Sequence, residues 1–290
     1  QLFPSVGYLL DVLEGAVARL APGGFLFVGD NRDLRLLRVL HASIQLSQAP
    51  AAVPRDALPE RLAQSMAQEE QLLLDPALFR ALPRRIPRLS TVTIQWKRGR
   101  HHNELNRFRY DVIAAVEGTA SEGAPTVDGG RSRAWRQGDD LDALRGLLAE
   151  RPARALVVTG VPNARLAGPL RALEMIDAAS GPPTAGDLRA ALRTDAPAGA
   201  IEPDAVWSLG EELGFEVFLG PDREREDRFE VVFRPAGGGA PPPLPATGVD
   251  ERPSRTARST ASTAWRWPSG SRSAASTSTP PTAGRSACSS

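Results

Sequence analysis

FPSVGYLLDVLEGAVARLAPGGFLFVGDNR, residues 3–32, is the stretch that decides the fold. Leu9, Leu10, Val12, Leu13, Ala16, Val17 and Leu20 recur at helical spacing, which predicts a helix over 5–20 with Ser5 as its N-cap. Pro22-Gly23-Gly24 ends that helix and turns the chain. The run FLFV (25–28) is continuously apolar, as expected of a strand buried on both faces of a parallel sheet. Gly29-Asp30-Asn31-Arg32 follows at once. A helix, a tight turn, a buried strand and a polar cluster at the strand's carboxyl end make the ground plan of an α/β sheet, and such sheets bind ligands at that end.

Working outward, 33–49 and 55–85 read as a helical insertion broken at Pro50, Pro54, Pro76 and Pro83. Residues 90–99 and 108–116 read as strands joined in an antiparallel hairpin. A Gly/Ser-rich linker is expected over 118–140. It is followed by a helix at 141–150, a short strand at 155–160, helices near 164–178 and 203–213, and strands at 215–220 and 228–235. From 236 onward the composition is that of a Pro/Gly linker and then a Ser/Thr/Arg tail. The last 40 residues hold six arginines, one acid (Glu251) and no Leu, Ile, Val, Phe or Met. Such a segment cannot offset its ordering entropy, so 236–290 is expected to be a disordered low-complexity tail. GC-rich DNA read out of frame yields this same mixture; RNA binding is the rival reading.

The 290 residues carry a formal net charge of +1, which gives no global field favouring nucleic acid, an anionic membrane or an acidic substrate. Of 35 basic residues only Lys97 is a lysine, a bias that points to GC-rich codons rather than to a function. One cysteine, Cys288, excludes an internal disulfide and a cysteine metal cluster, and three histidines leave little room for a histidine metal site. No apolar run reaches the ~18 residues of a membrane span, and no signal-peptide pattern is present. A cytoplasmic location is expected. The sequence opens at Gln1 inside a structured segment, so a fragment is expected too.

Four stretches in order carry a family resemblance: 3–32; KRGRHHNELNRFRYDV (97–112); VTGVPNARLAGPLRAL (158–173); and EPDAVWSLGEELGFEVFL (202–219) with RFEVVFRP. Together they resemble the S-adenosylmethionine-dependent N-methyltransferase domains embedded in the adenylation domains of nonribosomal peptide synthetases. The resemblance implies the C-terminal half of a class I (Rossmann-like) methyltransferase sheet with its helical insertion over 1–117. The 118–140 linker, a small α+β extension over 141–235 and the tail over 236–290 complete that division. It also implies S-adenosylmethionine as cofactor, phosphopantetheine on a partner carrier protein, and an adenylation domain as neighbour, with no nucleic acid, membrane or metal. The glycine-rich cofactor loop and the acidic residue after the second strand that mark such enzymes are absent. The dense glycine run at 237–239 sits in a proline-rich stretch, not between a strand and a helix. The chain alone is therefore expected to be inactive.

In the intact domain the implied reaction is attack of an aminoacyl amine on a methyl group. His101, His102 and Glu104 are the catalytic candidates, since His and Glu suit a general base near neutral pH. Strand alternation would let at most one of the two histidines face the site; the bland alternative is a polar hairpin loop. Asp30 and Arg32 at the strand end, with His41, Asn103, Arg107 and Tyr110, are the substrate-side candidates, and Arg109 lies between the last two. A turn-capping Asp, a surface Arg and packing roles are their ordinary readings. Phe3 is the candidate nearest the cofactor, against plain core packing. Asn163 and Arg165 could contact the carrier arm or cap the following helix, and the sequence does not decide. Rival functions are C- or O-methylation in a polyketide–peptide hybrid line, or a non-catalytic remnant that packs on an adenylation domain.

Overall fold

The computed structural model describes residues 3–117, 131–194 and 199–235. Helix α1 (Val6–Arg19) is capped by Ser5, whose hydroxyl accepts the Tyr8 N–H at 3.2 Å, and it buries Leu9, Leu10, Leu13 and Val17. Gly23, with φ 78°, makes the left-handed turn into β1 (Phe25–Asp33). Leu26 and Val28 pack against the core, whereas Phe25 and Phe27 are 65% and 55% exposed. This corrects the expectation of a strand covered on both faces. An apolar run alone cannot distinguish a strand covered twice from one covered once.

Three helices follow: α2 (Leu37–Gln48), α3 (Leu58–Ala67) and α4 (Pro76–Arg85). The helical reading of 55–85 needs two corrections. Leu73–Leu74 form a short strand, β2, paired parallel with Arg32 and Asp33 of β1. Helix α4 runs through Pro83, which forfeits a ladder bond only near the helix end. Strands β3 (Leu89–Trp96) and β4 (Arg109–Val116) form the expected antiparallel hairpin. Its connection holds a short helix, α5 (Glu104–Phe108), closed by a reciprocal Asn103–Asn106 capping box.

The second sheet contains β5 (Arg131–Ala134), β6 (Leu156–Pro162), β7 (Phe215–Pro221) and β8 (Arg228–Pro235). Helices α6 (Leu141–Ala149), α7 (Ala164–Asp177), α8 (Ala185–Thr194) and α9 (Pro203–Glu212) accompany it. β5 lies inside the stretch read as a linker. Its RSRA sequence is largely exposed and lacks apolar alternation, as suits an edge strand, so periodicity could not reveal it. Helix α8 was likewise not expected. Residues 118–130 of that linker and the tail (236–290) lie outside the described residues.

The fold is mixed α/β with two mixed four-stranded sheets, ordered β2-β1-β4-β3 and β5-β6-β8-β7. Each has a short parallel edge strand, then a central strand, then two successive antiparallel neighbours. Each central strand bulges at the same place. Gly29 and Asp30 oppose Asp111 alone in the first sheet, and Thr159 and Gly160 oppose Glu230 alone in the second. The edge strands differ in chain order, since β2 follows β1 whereas β5 precedes β6. One hydrophobic cluster runs through both sheets, with Trp96 and Phe229 in ring contact at 5.7 Å, while α2 packs on α7 and β3 lies against β7.

Candidate functional site

The bulge gives the carboxyl end of β1 its shape. Asp30 has φ 65°, one of two non-glycine residues among those described with positive φ. A left-handed L-residue costs roughly 1–2 kcal/mol, somewhat less for Asp. Three contacts hold the backbone there. The Asp30 N–H donates to Asp111 Oδ1 at 2.7 Å, and Asn31 Nδ2 donates to the carbonyls of Val28 (2.7 Å) and Tyr110 (3.3 Å). The result turns the Asp30 carboxylate outward, half exposed, while Asn31 and Asp33 on either side of Arg32 are buried.

A continuous polar chain runs from the helical insertion to the hairpin. His41 Nδ1 lies 2.8 Å from Ser65 Oγ and its Nε2 3.1 Å from Glu69 Oε2. Glu69 accepts from Arg32 Nη1 at 2.9 Å, and Arg32 Nη2 donates to Glu104 Oε1 at 2.7 Å. Arg109 donates to Glu104 (2.7 Å) and to Asp30 (2.5 Å). Lys97 Nζ completes the set, 3.0 Å from Asp111 and 3.7 Å from Asp30. Four acidic side chains thus face three basic ones, and the two most exposed members are Asp30 (50%) and Glu104 (40%). Partial burial would raise the Glu104 carboxyl, but hydrogen bonds and positive charge from Arg109 and Arg32 outweigh it and hold the group below its ordinary value. Glu104 is therefore an anion at neutral pH, better suited to attract a cation than to take up a proton.

The structure gathers Asp30, Arg32, His41 and Glu104 into this network, His41 through Glu69. It adds Lys97, Asp111 and Glu69, which sequence reasoning did not single out. The available signal was that Lys97 is the chain's only lysine. Other candidates lie elsewhere. His101 is exposed, and its backbone carbonyl accepts from Asn103 and Asn106. His102 binds Glu202 at 2.8 Å, before α9. Asn103 caps α5, and Arg107 is partly buried, with burial lowering its guanidinium. Tyr110 is wholly buried, edge-on to Phe79, and donates to the Leu74 carbonyl at 2.8 Å, with burial pushing its hydroxyl well above the usual range. Phe3 packs on the core beside Tyr8 at 6.1 Å. Asn163 caps α7 by accepting the Arg165 N–H at 3.0 Å.

No family model matches the chain. Among known proteins it is 40% identical over 214 residues to the chondramide synthase of Chondromyces crocatus, covering 72% of this chain and 5% of that protein. It is 34% identical over 249 residues to a probable non-canonical nonribosomal peptide synthetase of Salinispora arenicola, covering 84% and 3%. It is 29% identical over 256 residues to a nonribosomal peptide synthetase of Curvularia clavata, covering 83% and 2%. Over most of its length the chain is thus homologous to a segment of nonribosomal peptide synthetases, of which it spans only a few per cent.

Proposed function

We propose that this chain supplies the acceptor side of a synthetase module that N-methylates a carrier-bound aminoacyl thioester. The observation carrying this reading is Asp30: a strained, half-exposed carboxylate projected by a bulge at the carboxyl end of a central strand, paired across Arg109 with Glu104. Strain of this kind persists where surrounding contacts over-determine it, and it clusters at functional sites. The hairpin that follows β1 and the homology to peptide synthetases both agree with the resemblance read from the sequence.

The acceptor of such a reaction arrives as an ammonium, with a pKa near ~8. Asp30 and Glu104 attract that cation, while Arg109 and Lys97 fix the direction of Asp30 and Arg32 and Arg109 hold Glu104 in place and keep it charged. Both stand beside solvent, to which the ammonium loses its proton before the nitrogen lone pair attacks the methyl group, so no strong base is needed. Placing the nitrogen accounts for most of the contribution these residues make. The donor is the other half. Among the described residues, no glycine-rich turn leads from a strand into a helix, as a pocket for S-adenosylmethionine requires, so these residues do not fit that cofactor by themselves. In this reading the rest of the parent polypeptide supplies its pocket, along with the adenylation domain and the phosphopantetheine-bearing carrier.

The test uses the parent module with its carrier loaded with an amino acid, and mass spectrometry to locate the added methyl group. The expected product is methylated on nitrogen, with transfer lowered on the order of 10²-fold by Asp30→Asn or Glu104→Gln. Methylation on carbon or oxygen would replace the substrate assignment. No transfer from a module with an intact cofactor loop would reduce the segment to a packing element.

A further inference from the structure

Arg165 is the largest fully buried side chain among the described residues, at 0% exposure. Helix capping leaves its side chain unexplained, because the cap uses only its backbone N–H. The guanidinium crosses out of the second half into the loop that follows β3. Its Nη1 donates to the carbonyls of Lys97 (3.1 Å) and Asn106 (3.3 Å), its Nη2 to that of Gly99 (2.8 Å), and its Nε to Glu202 at 3.2 Å. Its flat face lies 5.6 Å from the Trp207 ring centroid. A planar fork with five N–H groups can serve three carbonyls and a carboxylate together, which an ammonium cannot. The same loop is pinned from outside by Arg98 on Glu211 (2.5 Å), Arg100 on Asp204 (2.9 Å) and His102 on Glu202 (2.8 Å), all on α9 or just before it.

We infer that Arg165 is a positioning residue for the strand-end site: the second half grips the 97–106 loop through it and so sets where Lys97 and Glu104 stand. Lys97 leaves this loop toward Asp111 and Asp30, and Glu104 opens the helix that the loop leads into. The extension over 141–235 then completes the site rather than merely following it. The use of the loop for an acceptor amine rests on the methylation reading; the grip itself does not.

The test compares the full chain with Arg165→Lys and Arg165→Gln by hydrogen exchange, with β8 as internal reference. Tryptic cutting after Lys97 gives a second measure, since the carbonyl of that bond is the one Arg165 holds. Exchange over 97–106 should rise by at least about 10-fold while β8 stays protected. Acylation of Lys97, which stays the only lysine in Arg165→Gln, should accelerate in parallel in that variant. Glu202→Gln loosens the same grip from its solvent side and decides the matter if the Arg165 variants do not fold. Unchanged loop exchange overturns the inference, as does a loss of protection spread evenly over both sheets. In the parent module, Arg165→Lys should lower kcat by about 10–100-fold with KM for the loaded carrier unchanged. A wild-type module that transfers no methyl group would sink the methylation reading while leaving the exchange result standing.

Discussion

The carboxyl ends of β1 and β6 share a backbone plan and are finished in opposite ways. In each bulge the second residue is left-handed, Asp30 at φ 65° and Gly160 at φ 74°. In each, its N–H donates to an aspartate: Asp111 at 2.7 Å in the first sheet, Asp222 at 3.0 Å in the second. The second half uses the residue that fits a left-handed position without strain, and it closes the end. Asp222 also accepts from the amides of Glu224 and Arg225, and Arg228 covers the Gly160 carbonyl at 2.7 Å. The first half puts an aspartate there and leaves its carboxylate facing solvent. The two strand ends thus differ in the side chain that the bulge carries, and the proposed site rests on that difference rather than on strand-end position alone.

The comparison assumes two halves built on one core, and that assumption carries the largest expected effect. Phe229 is fully buried and meets Trp96 of the first sheet. Phe229→Ala should cost about 3–5 kcal/mol. Denaturant unfolding followed separately in β4 and β8 by hydrogen exchange should show both sheets failing together. A variant that loosens only the second sheet would mean that the halves are independent domains sharing a surface.

Asp30→Gly sharpens the comparison by giving the first bulge the residue found in the second. It relieves a left-handed Asp but breaks the half-exposed contact with Arg109, which is worth a few tenths of a kcal/mol. The net expectation is a gain of up to about 1 kcal/mol in stability, together with the large loss of transfer expected of any Asp30 variant in the parent module. Urea unfolding of the chain checks the first part. A loss of stability instead would show that Asp30 is held without strain, and the argument from the bulge to function would fail.

Much of this was legible in the sequence, and the omissions share a cause. Helix α1, β1, the hairpin and the closing strands β7 and β8 announce themselves through apolar spacing and turn residues. Asp30 and Arg32 could be placed at a strand end for the same reason. The bulge could not be read, because GDNR looks like any polar turn until its pairing with Asp111 is known. Lys97 stood out only as the one lysine and Arg165 only as a carrier-arm or capping candidate; what they hold could not be read, because a backbone carbonyl has no sequence signature and an arginine that binds three of them resembles any other of the 35 basic residues. The match between the two sheets lies in strand order and register, which local patterns do not carry.

Gly160→Ala is the converse of the Asp30 variant. The nearest atom to an added Cβ is Arg228 Cδ at 4.0 Å, so there is room for a methyl group and the cost is conformational. A loss of about 1–2 kcal/mol is expected. Thermal or urea unfolding of the single variant measures it directly. A neutral result would mean that the second bulge relaxes freely, and the contrast with a tightly held Asp30 would then rest on the contacts around it rather than on its conformation.

The smallest effect separates the two strand ends electrically. Glu104 in the first half is held below the ordinary carboxylate value of 4.5, because Arg109 and Arg32 outweigh the cost of its partial burial. Glu230, opposite the second bulge, is raised above 4.5: its burial dominates over the neighbouring Arg223 and Arg80. By linkage the signs are opposite. Glu104 contributes stability above 4.5 that is lost as pH falls through its lower folded value. Glu230 contributes stability that is present below 4.5 and lost as pH rises through its higher folded value. Urea midpoints of Glu230→Gln should therefore lack a small gain that the wild type shows on acidification from neutrality toward 4.5. Those of Glu104→Gln should fall less than wild type below 4.5, by a modest amount given its 40% exposure. If both variants run parallel to the wild type, the strand ends differ in geometry alone, and the charge that the first half gathers around Asp30 does not distinguish it from the second.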